Sequence, residues 1–398
     1  MPKRCPLLIA VTVLLLSGGE PIAGQAPGDG DGAAAMGVAL RRLGTTKRAL
    51  MIAAHPDDEN TAVIAELALG GGADVAYLSL TRGEGGQNLI GPELQEGLGL
   101  IRSEELLAAR RLDGARQFFT RAYDYGFSKS AAEAFRQWPM DTLLADVVEV
   151  VRRYRPDIII AIFSGTPADG HGQHQASGIL ARAAFAAAAD STRFPTQLAR
   201  GLRPHRAHYL FHASYRPSPD APLRLSTGDL DPLFGRSRYQ IAMQSRSRHR
   251  SQDMGRAEPI GPQATSLAVV AGAYPAGAQS LFASLDTTLA QRAHTAGADP
   301  AVVRTLAEYE RDVLGVRDSY NPLRMDELVA PLTAALARLQ SIRLPTAAAL
   351  DELRFALRAE IAQLEDAVRH AAGVVVDVVA DTPHPVPGES FGITVTVS

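Results

Sequence analysis

The chain has 398 residues, of which 46% are hydrophobic and 21% are charged, and its formal net charge is −3. This length allows one to three domains with a substantial buried core. The nearly balanced charge argues against a nucleic-acid partner, and no apolar run of about 20 residues, the length of a transmembrane helix, follows the N-terminal region.

The N-terminal 26 residues have the pattern of a secretory signal peptide. Lys3 and Arg4 precede a short apolar run over residues 7–16, and small residues at 23–26 offer a cleavage site. An uncleaved membrane anchor is the alternative. The single cysteine, Cys5, lies within this segment, so the mature protein would contain no disulfides. The segment predicts a secreted or periplasmic protein.

Residues 27–46 are predicted to be a linker, with a short helix over 36–43. From residue 47 to about 260, apolar strand patterns alternate with helical patterns. Such alternation indicates an α/β fold with a Rossmann-like, mostly parallel sheet and helices on both faces. This segment is predicted to be the catalytic domain.

The first polar motif, Ala-His-Pro-Asp-Asp-Glu at residues 54–59, follows an apolar strand and precedes a helix. Ligands bind at such strand ends in open α/β sheets. His55 and Asp58 can aim at one point and suit Zn²⁺, whereas Asp57 leaves the turn at another angle and can serve as general base toward a water. Glu59 is predicted to hold a ligand histidine. The alternative is a set of carboxylates that cap a helix.

The second polar motif lies at residues 169–178, again between an apolar strand and a helix. Its two histidines can meet the first motif if the two strands are near neighbours. His174 would then be a third zinc ligand and leave one metal position open. His171 would stand beside it, able to donate a proton or to stabilise an oxyanion. The alternative is two solvated loop histidines.

Other polar groups are less specific. The basic run at residues 246–250 could bind an anionic substrate group or form a solvated helix face, and both interpretations stay open. His205, His208 and His212 flank a predicted strand on which side chains alternate between faces, so they are not expected to share a metal.

The C-terminal part changes character. Residues 261–372 form a predicted helical region in which two leucine-rich stripes indicate an antiparallel pair of helices. Residues 373–398 predict two strands, and these could be the start of an incomplete immunoglobulin-like domain.

The two polar motifs together resemble those of the PIG-L/LmbE-like zinc-dependent de-N-acetylases, which include N-acetylglucosaminyl-phosphatidylinositol de-N-acetylase. The resemblance covers about residues 47–255. It implies Zn²⁺ as cofactor and three groups of site residues: zinc ligands His55, Asp58 and His174; a general base, Asp57, and a histidine that stabilises the tetrahedral intermediate or protonates the amine, His171; and substrate contacts Arg102 and Asp124.

The chain departs from the family pattern in the second motif. The usual sequence there is His-Pro-Asp-His, whereas Gly172 and Gln173 replace the middle pair here. The lost aspartate can partner the first histidine, so the protonation state of His171 is left open. The family also carries a His/Ser-Gln element where residues 249–252 stand, with no role assignable from spacing.

These observations predict an exported zinc-dependent hydrolase that removes acetyl from an N-acetylated amino sugar of the N-acetylglucosaminyl type. The substrate would be a small molecule, a glycan or a glycolipid. Two alternatives stay open: a zinc amidase acting on another acyl amide, such as a natural product or thiol conjugate, and a non-catalytic carbohydrate-binding protein. The same ligands could also hold Fe²⁺ or Co²⁺.

Overall fold

A computed structural model describes residues 32–214, 223–253 and 255–398. The predicted signal peptide, residues 1–26, lies outside the described residues. Within them, no helix is both long enough and apolar enough to cross a membrane.

The strands, in chain order, are β1 (Arg48–Ala53), β2 (Asp74–Ser79), β3 (Arg116–Phe119), β4 (Ile158–Ala161), β5 (Tyr209–Ser214), β6 (Leu223–Ser226), β7 (Leu230–Asp231), β8 (Arg236–Ser237), β9 (Ala264–Ala271), β10 (Val376–Ala380) and β11 (Ile393–Val397). The helices are α1 (Gly32–Arg42), α2 (Thr61–Ala65), α3 (Glu96–Asp113), α4 (Ala131–Gln137), α5 (Met140–Tyr154), α6 (Gly172–Ala187), α7 (Pro195–Ala199), α8 (Arg238–Arg246), α9 (Leu289–Thr295), α10 (Pro300–Asp318), α11 (Val329–Ser341) and α12 (Asp351–Ala372).

The central sheet has seven strands in the order β3-β2-β1-β4-β5-β9-β6. The pairs among β1 to β5 are parallel, whereas β9 pairs antiparallel with β5 and β6. The predicted mostly parallel α/β fold is therefore confirmed. Because β9 lies at residues 264–271, the sheet extends beyond residue 260, into the segment predicted to be helical.

Both faces of the sheet are covered by helices. Along β1, Leu50 and Ile52 face the core formed with α4, α5 and α6, while Ala49, Met51 and Ala53 face the core formed with α2 and α3. This alternation is the two-residue period of a strand. All six residues of β1 are buried, which explains why a continuous apolar run marks this central strand.

A separate helical layer is built from α1 and α9 to α12 around its own apolar core. Helices α11 and α12 pack against each other, as the leucine stripes predicted. Met36 and Leu40 of α1 are buried in this core. The short helix predicted at residues 36–43 corresponds to α1, which begins earlier, at Gly32, and its apolar face, Met36, Ala39 and Leu40, packs into the layer. The predicted bounds of the linker stay a prediction.

Helix α12 carries two paired carboxylates, one partly exposed and one buried. Glu352 of α12 pairs with Arg155 at 3.1 Å and with His205 at 3.4 Å. Glu360, also on α12, accepts the Gly44 N–H at 2.6 Å and the hydroxyl of Tyr309. No cation pairs with Glu360 among the described residues, and burial raises its pKa to about 7.

The two C-terminal strands form a separate antiparallel ribbon, β10–β11. The directly opposed pairs Val376–Val397, Val378–Val395 and Ala380–Ile393 place six aliphatic side chains on one face. All ten strand residues are exposed. The predicted β segment is present, and its relation to an immunoglobulin-like domain stays a prediction.

Candidate metal centre

The two polar motifs meet at the carboxyl edge of the sheet. His55 follows β1, and the segment with His171 and His174 follows β4 and begins α6. Strands β1 and β4 are hydrogen-bonded neighbours, so the turns that leave them are adjacent. This is the point at which the strand order reverses, where open α/β sheets bind ligands.

Three predicted ligands converge at this edge. One ligand atom each from His55, Asp58 and His174 can be chosen so that all lie within 4.8 Å of one another. His55 Nδ1 is 3.1 Å from Asp58 Oδ2, and His174 Nε2 is 3.4 Å from Asp58 Oδ1. Zinc–ligand bonds of about 2.0–2.2 Å in tetrahedral geometry separate ligand atoms by roughly 3.4 Å. The three side chains therefore fit a divalent cation of this size.

The second nitrogen of each ligand histidine is held by the protein. His55 Nε2 lies 2.6 Å from Gln173 Oε1, and His174 Nδ1 lies 3.4 Å from the carbonyl oxygen of Asp169. The His174 ring also stacks on Phe163, with centroids 4.0 Å apart. In the neutral rings, such contacts place the proton on the outer nitrogen, so that His55 Nδ1 and His174 Nε2 are the lone-pair nitrogens directed at Asp58, as metal ligands require.

We call His55, Asp58 and His174 the triad, and their charges also suit a cation. Although burial opposes it, His174 and His55 hold the pKa of Asp58 well below its usual range. Burial lowers the pKa of His55, but Asp58 outweighs that effect and the pKa rises to about 9. Without a metal the triad thus retains a proton beside the carboxylate. A divalent cation would replace that proton, which is how metal binding to histidine sites releases protons.

Asp57 lies next to the triad but points elsewhere. Its φ is +97°, a backbone conformation unusual for a residue with a side chain. Its N–H donates to Glu59 at 2.9 Å, and its carboxylate accepts from Arg102 at 2.7 Å. Burial raises the pKa of Asp57, and Arg102 opposes that rise. The turn therefore separates Asp57 from the ligand set and leaves it a more basic carboxylate than usual.

Arg102 is buried against this turn. Besides Asp57, its guanidinium donates to the carbonyl oxygens of Pro56 and, at 3.0 Å, Gly83. Only 3% of the residue is exposed. These contacts brace the turn, and the predicted contact of Arg102 with substrate stays a prediction.

Asp124 is likewise buried, with 3% exposure. Its Oδ1 accepts the Gly126 N–H at 2.9 Å and the Gln173 side-chain amide at 3.2 Å, and its Oδ2 lies 3.8 Å from His55 Nε2. Asp124 therefore lies behind a metal ligand. Its predicted contact with substrate stays a prediction, and these contacts favour a supporting position.

His171 stands beside the triad. Its ring centroid is 5.3 Å from that of His55 and 5.0 Å from that of His174. Its Nδ1 accepts the Gln173 N–H at 3.2 Å and so caps α6. Burial, together with His55 and His174, lowers the pKa of His171 to about 4. The ring is therefore neutral near pH 7, with its proton on Nε2.

Glu59 does not hold a ligand histidine, so that prediction is wrong. It is fully buried and pairs with His249 at 2.7 Å and Arg110 at 3.2 Å. Arg110 also pairs with Asp113, which accepts a hydrogen bond from Ser245. We call these five residues the inner ion cluster. Its partners come from α3 and the α8 region, far away in sequence, and only the His/Ser-Gln element at 249–252 could have indicated His249.

Sequence reasoning also missed the loop at residues 124–130, which covers the second motif. Gly172 donates its N–H to the carbonyl oxygen of Ser128 at 2.8 Å, and a Cβ at Gly172 would lie 2.3 Å from the Ser130 carbonyl oxygen. Trp138 is buried and donates its indole N–H to the Tyr123 carbonyl oxygen at 2.9 Å. Phe127 is 72% exposed, and its ring lies 5.0 Å from His171. An exposed aromatic ring therefore stands at the mouth of the site.

The other histidines and arginines that the sequence suggested as ligands or substrate contacts do not form a second site among the described residues. His205 lies 2.8 Å from the carbonyl oxygen of Pro156, and no second group of three metal-binding side chains occurs in the part of the chain that the structure describes. Arg246 donates to the Asp57 and Glu59 carbonyl oxygens. Arg248 and Arg250 are exposed. Within the basic run, Arg246 and His249 therefore contact the first motif, Arg246 through backbone carbonyl oxygens and His249 through the Glu59 carboxylate.

Comparison with known proteins places this edge in context. Residues 50–185 match the sequence profile of the PIG-L family, described as GlcNAc-PI de-N-acetylase. A 1D-myo-inositol 2-acetamido-2-deoxy-alpha-D-glucopyranoside deacetylase from Geodermatophilus obscurus is 32% identical over 169 residues, which are 38% of this chain and 56% of the relative. A protein of the same name from Rhodococcus erythropolis is 34% identical over 163 residues, covering 36% and 55%. The chain thus spans little more than half the length of these relatives.

Among solved structures, the N,N'-diacetylchitobiose deacetylase from Pyrococcus horikoshii aligns with 52% of this chain and 70% of its own. The sequence identity is 22% and the TM-score is 0.41. At that distance the alignment carries no functional information.

Proposed function

We propose that this chain, which carries a PIG-L family domain over residues 50–185, is a divalent-metal-dependent hydrolase that removes the acetyl group from an N-acetylated amino sugar. One observation carries the proposal: the ligand atoms of His55, Asp58 and His174 lie within 4.8 Å of one another, next to a basic carboxylate and a neutral imidazole. The names of the relatives support the substrate class. We propose zinc as the cation, because two histidines and one carboxylate with an open position form a common catalytic zinc site, and the same set can also hold Fe²⁺.

Asp57 is the general base in this proposal. A cation held by the triad would supply Lewis acidity, which polarises the acetamide carbonyl and makes a water more acidic. Asp57 is adjacent in sequence to the ligand Asp58, and its raised pKa strengthens it as a proton acceptor. Arg102 fixes the carboxylate direction through its 2.7 Å contact. Asp57 therefore takes the proton of the attacking water and can return it to the leaving amine.

His171 stabilises the developing oxyanion. Its Nδ1 accepts the Gln173 N–H, so its remaining proton is on Nε2, available for donation. A pKa of about 4 keeps the ring neutral, which suits a hydrogen-bond donor better than a proton-transfer acid at pH 7. Fixed donors of this kind typically contribute about 10²–10³-fold in kcat. Of the two roles that the resemblance implies for His171, the proposal therefore takes oxyanion stabilisation.

The test is amine release by purified protein from a panel of N-acetylated sugars. The panel runs from free N-acetylglucosamine to inositol-linked, lipid-linked and oligomeric forms. Wild type is assayed after metal removal and after return of Zn²⁺, with Asp57→Asn in parallel. We expect release that requires the metal and disappears in Asp57→Asn, although that variant still binds zinc.

Three results would contradict the proposal in different ways. Loss of zinc binding in Asp57→Asn would make Asp57 a ligand. Zinc binding without release from any sugar would exclude the sugar substrates. Sugar binding that needs neither zinc nor the triad would support a carbohydrate-binding protein instead.

A second candidate substrate class has its own observation. Leu89, Ile90 and Leu94 are 58–64% exposed on the loop that follows β2, at the same edge of the sheet as Phe127. Exposed apolar groups near a cleft mark contact sites for apolar ligands. A metal amidase acting on an acyl amide with an apolar portion would fit them. Long-chain N-acyl substrates in the same panel, hydrolysed faster than their acetyl counterparts, would favour this class.

We also propose export of the protein, because residues 1–26 have the composition of a signal peptide. After expression of the full chain, recovery of a product without its N-terminal segment from a periplasmic or secreted fraction would support export. Recovery of unprocessed chain in the cytoplasm would contradict it.

A further inference from the structure

Gln173 bridges a metal ligand and a buried carboxylate. Its side chain is fully buried. The amide nitrogen lies 2.9 Å from the Gly126 carbonyl oxygen and 3.2 Å from Asp124 Oδ1, both of which can only accept. Two acceptors at one end fix the orientation of the amide. Its oxygen must therefore be the atom that lies 2.6 Å from His55 Nε2.

This orientation determines the tautomer of His55. Because Gln173 Oε1 can only accept, His55 Nε2 must carry a proton and donate it. In the neutral ring, Nδ1 then has a free lone pair, and it is Nδ1 that lies 3.1 Å from Asp58. Partners of this kind orient ligand histidines in metal sites.

We propose that Gln173 is the positioning residue of the metal centre, holding His55 in the metal-binding tautomer and tying it to the loop at residues 124–130. The inference rests on the proposed function, because it takes the triad to be a metal site. It also explains the departure from the family pattern. Gly172 admits the Ser128–Ser130 backbone, where a Cβ would clash, and Gln173 reaches Gly126 on the same loop. The two replacements therefore act together.

The chemical consequence is a neutral partner for the ligand. On the Nε2 side of the His55 ring, the Asp124 carboxylate is 3.8 Å from Nε2, which is too far for a hydrogen bond. It connects to His55 through the Gln173 amide instead. A directly bound carboxylate raises the basicity of a ligand histidine. The intervening amide would do so less, and a cation held by His55 would then be more electron-poor and a stronger Lewis acid.

The test measures zinc affinity by competition with a chromophoric chelator, separately from activity. In Gln173→Leu the dissociation constant for zinc should rise about 10–100-fold, the usual effect of removing such a partner. Gln175→Leu is the matched control. Gln175 is buried two residues further along α6. Its side-chain oxygen accepts the Ala131 N–H at 3.1 Å, next to this loop, and its side-chain nitrogen donates to the Gly170 carbonyl oxygen at 3.0 Å. It contacts none of the three ligand residues by a hydrogen bond, so its loss should change zinc affinity less than about 3-fold.

A second pair of variants tests the direction of the hydrogen bonds. Gln173→Glu alone places a carboxylate beside Asp124 and should weaken zinc binding. Adding Asp124→Asn gives that carboxylate an amide partner again, while the Gly126 carbonyl oxygen still faces an acceptor, so zinc affinity should recover part of the way toward the wild-type level. A merely structural role for Gln173 predicts no such rescue.

The outcomes separate the two proposals. Wild type that binds no divalent cation would overturn the proposed function. Wild type that binds zinc while Gln173→Leu keeps the same affinity would overturn only the positioning role. Equal losses in Gln173→Leu and Gln175→Leu, or the absence of rescue in the double variant, would also overturn it. Circular dichroism and thermal unfolding of each variant without metal identify any that fail to fold, and for those the double variant decides.

Discussion

The metal triad and the inner ion cluster are built from the same types of side chain, and one six-residue turn contributes to both. Asp58 faces His55 and His174, whereas Glu59, the next residue, faces His249 and Arg110. The side chains of the triad are 8–23% exposed. Those of Glu59, His249 and Arg110 are at most 1% exposed.

The difference lies in where the positive charge comes from. In the inner ion cluster, Arg110 neutralises Glu59, and His249 and Arg110 lower the pKa of that carboxyl to about 2 although burial opposes it. In the triad, two histidines face Asp58, and the side chains are exposed enough to admit an ion. A group of histidines and carboxylates thus favours a metal where the imidazoles face the carboxylate in an accessible site.

Removal of Asp58 should have the largest effect, and it should act on activity rather than on folding. In Asp58→Ala we expect zinc binding to be lost and turnover to fall by more than about 10³-fold, beyond the effect of losing one oxyanion donor. Unfolding free energy without metal should change by no more than about 1–2 kcal/mol. Zinc titration, amine release and urea unfolding measure the three quantities. A variant that unfolds would show that the triad is structural, like the cluster.

The equivalent change in the inner ion cluster should act on folding. Glu59→Ala leaves Arg110 and His249 buried without their shared partner, and loss of one member of a buried pair costs about 3–5 kcal/mol. Glu59→Gln, which keeps the shape and can still accept a hydrogen bond, is the control and should cost less. Urea unfolding without metal measures both. If Glu59→Ala instead abolished zinc binding in a fully folded protein, Glu59 would belong to the metal site after all.

Glu360 gives a third case, a buried carboxylate without either kind of cation. Its pKa is raised from an ordinary 4.5 to about 7, so the folded state binds a proton that the unfolded state releases. Its contribution to stability is therefore full below about pH 4.5 and is lost as the pH rises through 7, a change of about 3 kcal/mol. In Glu360→Gln this component should be absent. As the pH rises from 4.5 to 8, the unfolding free energy of wild type should fall relative to that of the variant. A constant difference would show that Glu360 is ionised throughout.

Removal of the metal from wild type should leave the fold intact. At 100-fold excess over its dissociation constant, a bound ion stabilises the folded state by about 2.7 kcal/mol. Chelation should therefore lower the unfolding temperature by several degrees at most and leave the far-ultraviolet circular dichroism unchanged, although activity is lost. Collapse of the fold on chelation would mean that the triad, too, depends on its cation for folding.

The sequence was most informative where polar motifs directly follow apolar strands along the chain. Alternating apolar and amphipathic segments predicted the mostly parallel sheet, and the strand ends located His55, Asp57, Asp58, His171 and His174 at one edge. The structure brings these residues together, and their roles stay predictions. Periodicity worked because the sheet core is formed by continuous apolar runs such as β1.

Other features depended on contacts between distant parts of the chain, which spacing does not encode. Gln173 contacts His55 from 118 positions away, and Glu59 contacts His249 from 190 positions away. The burial of Arg102 and Asp124 follows from the loops that pack over them. Strand β9 was missed because it pairs antiparallel with β5 and β6, which lie earlier in the chain, and spacing does not encode that pairing.

The chain contains one tryptophan, and its position has a practical consequence. Trp138 donates to the Tyr123 carbonyl oxygen, one residue before Asp124, and its ring meets that of Tyr125 edge-on at 5.8 Å. Its fluorescence therefore originates beside the loop that Gln173 ties to His55. Wild-type protein carries an intrinsic optical reporter of that loop, and rapid mixing with zinc or substrate can follow its movement without any added label.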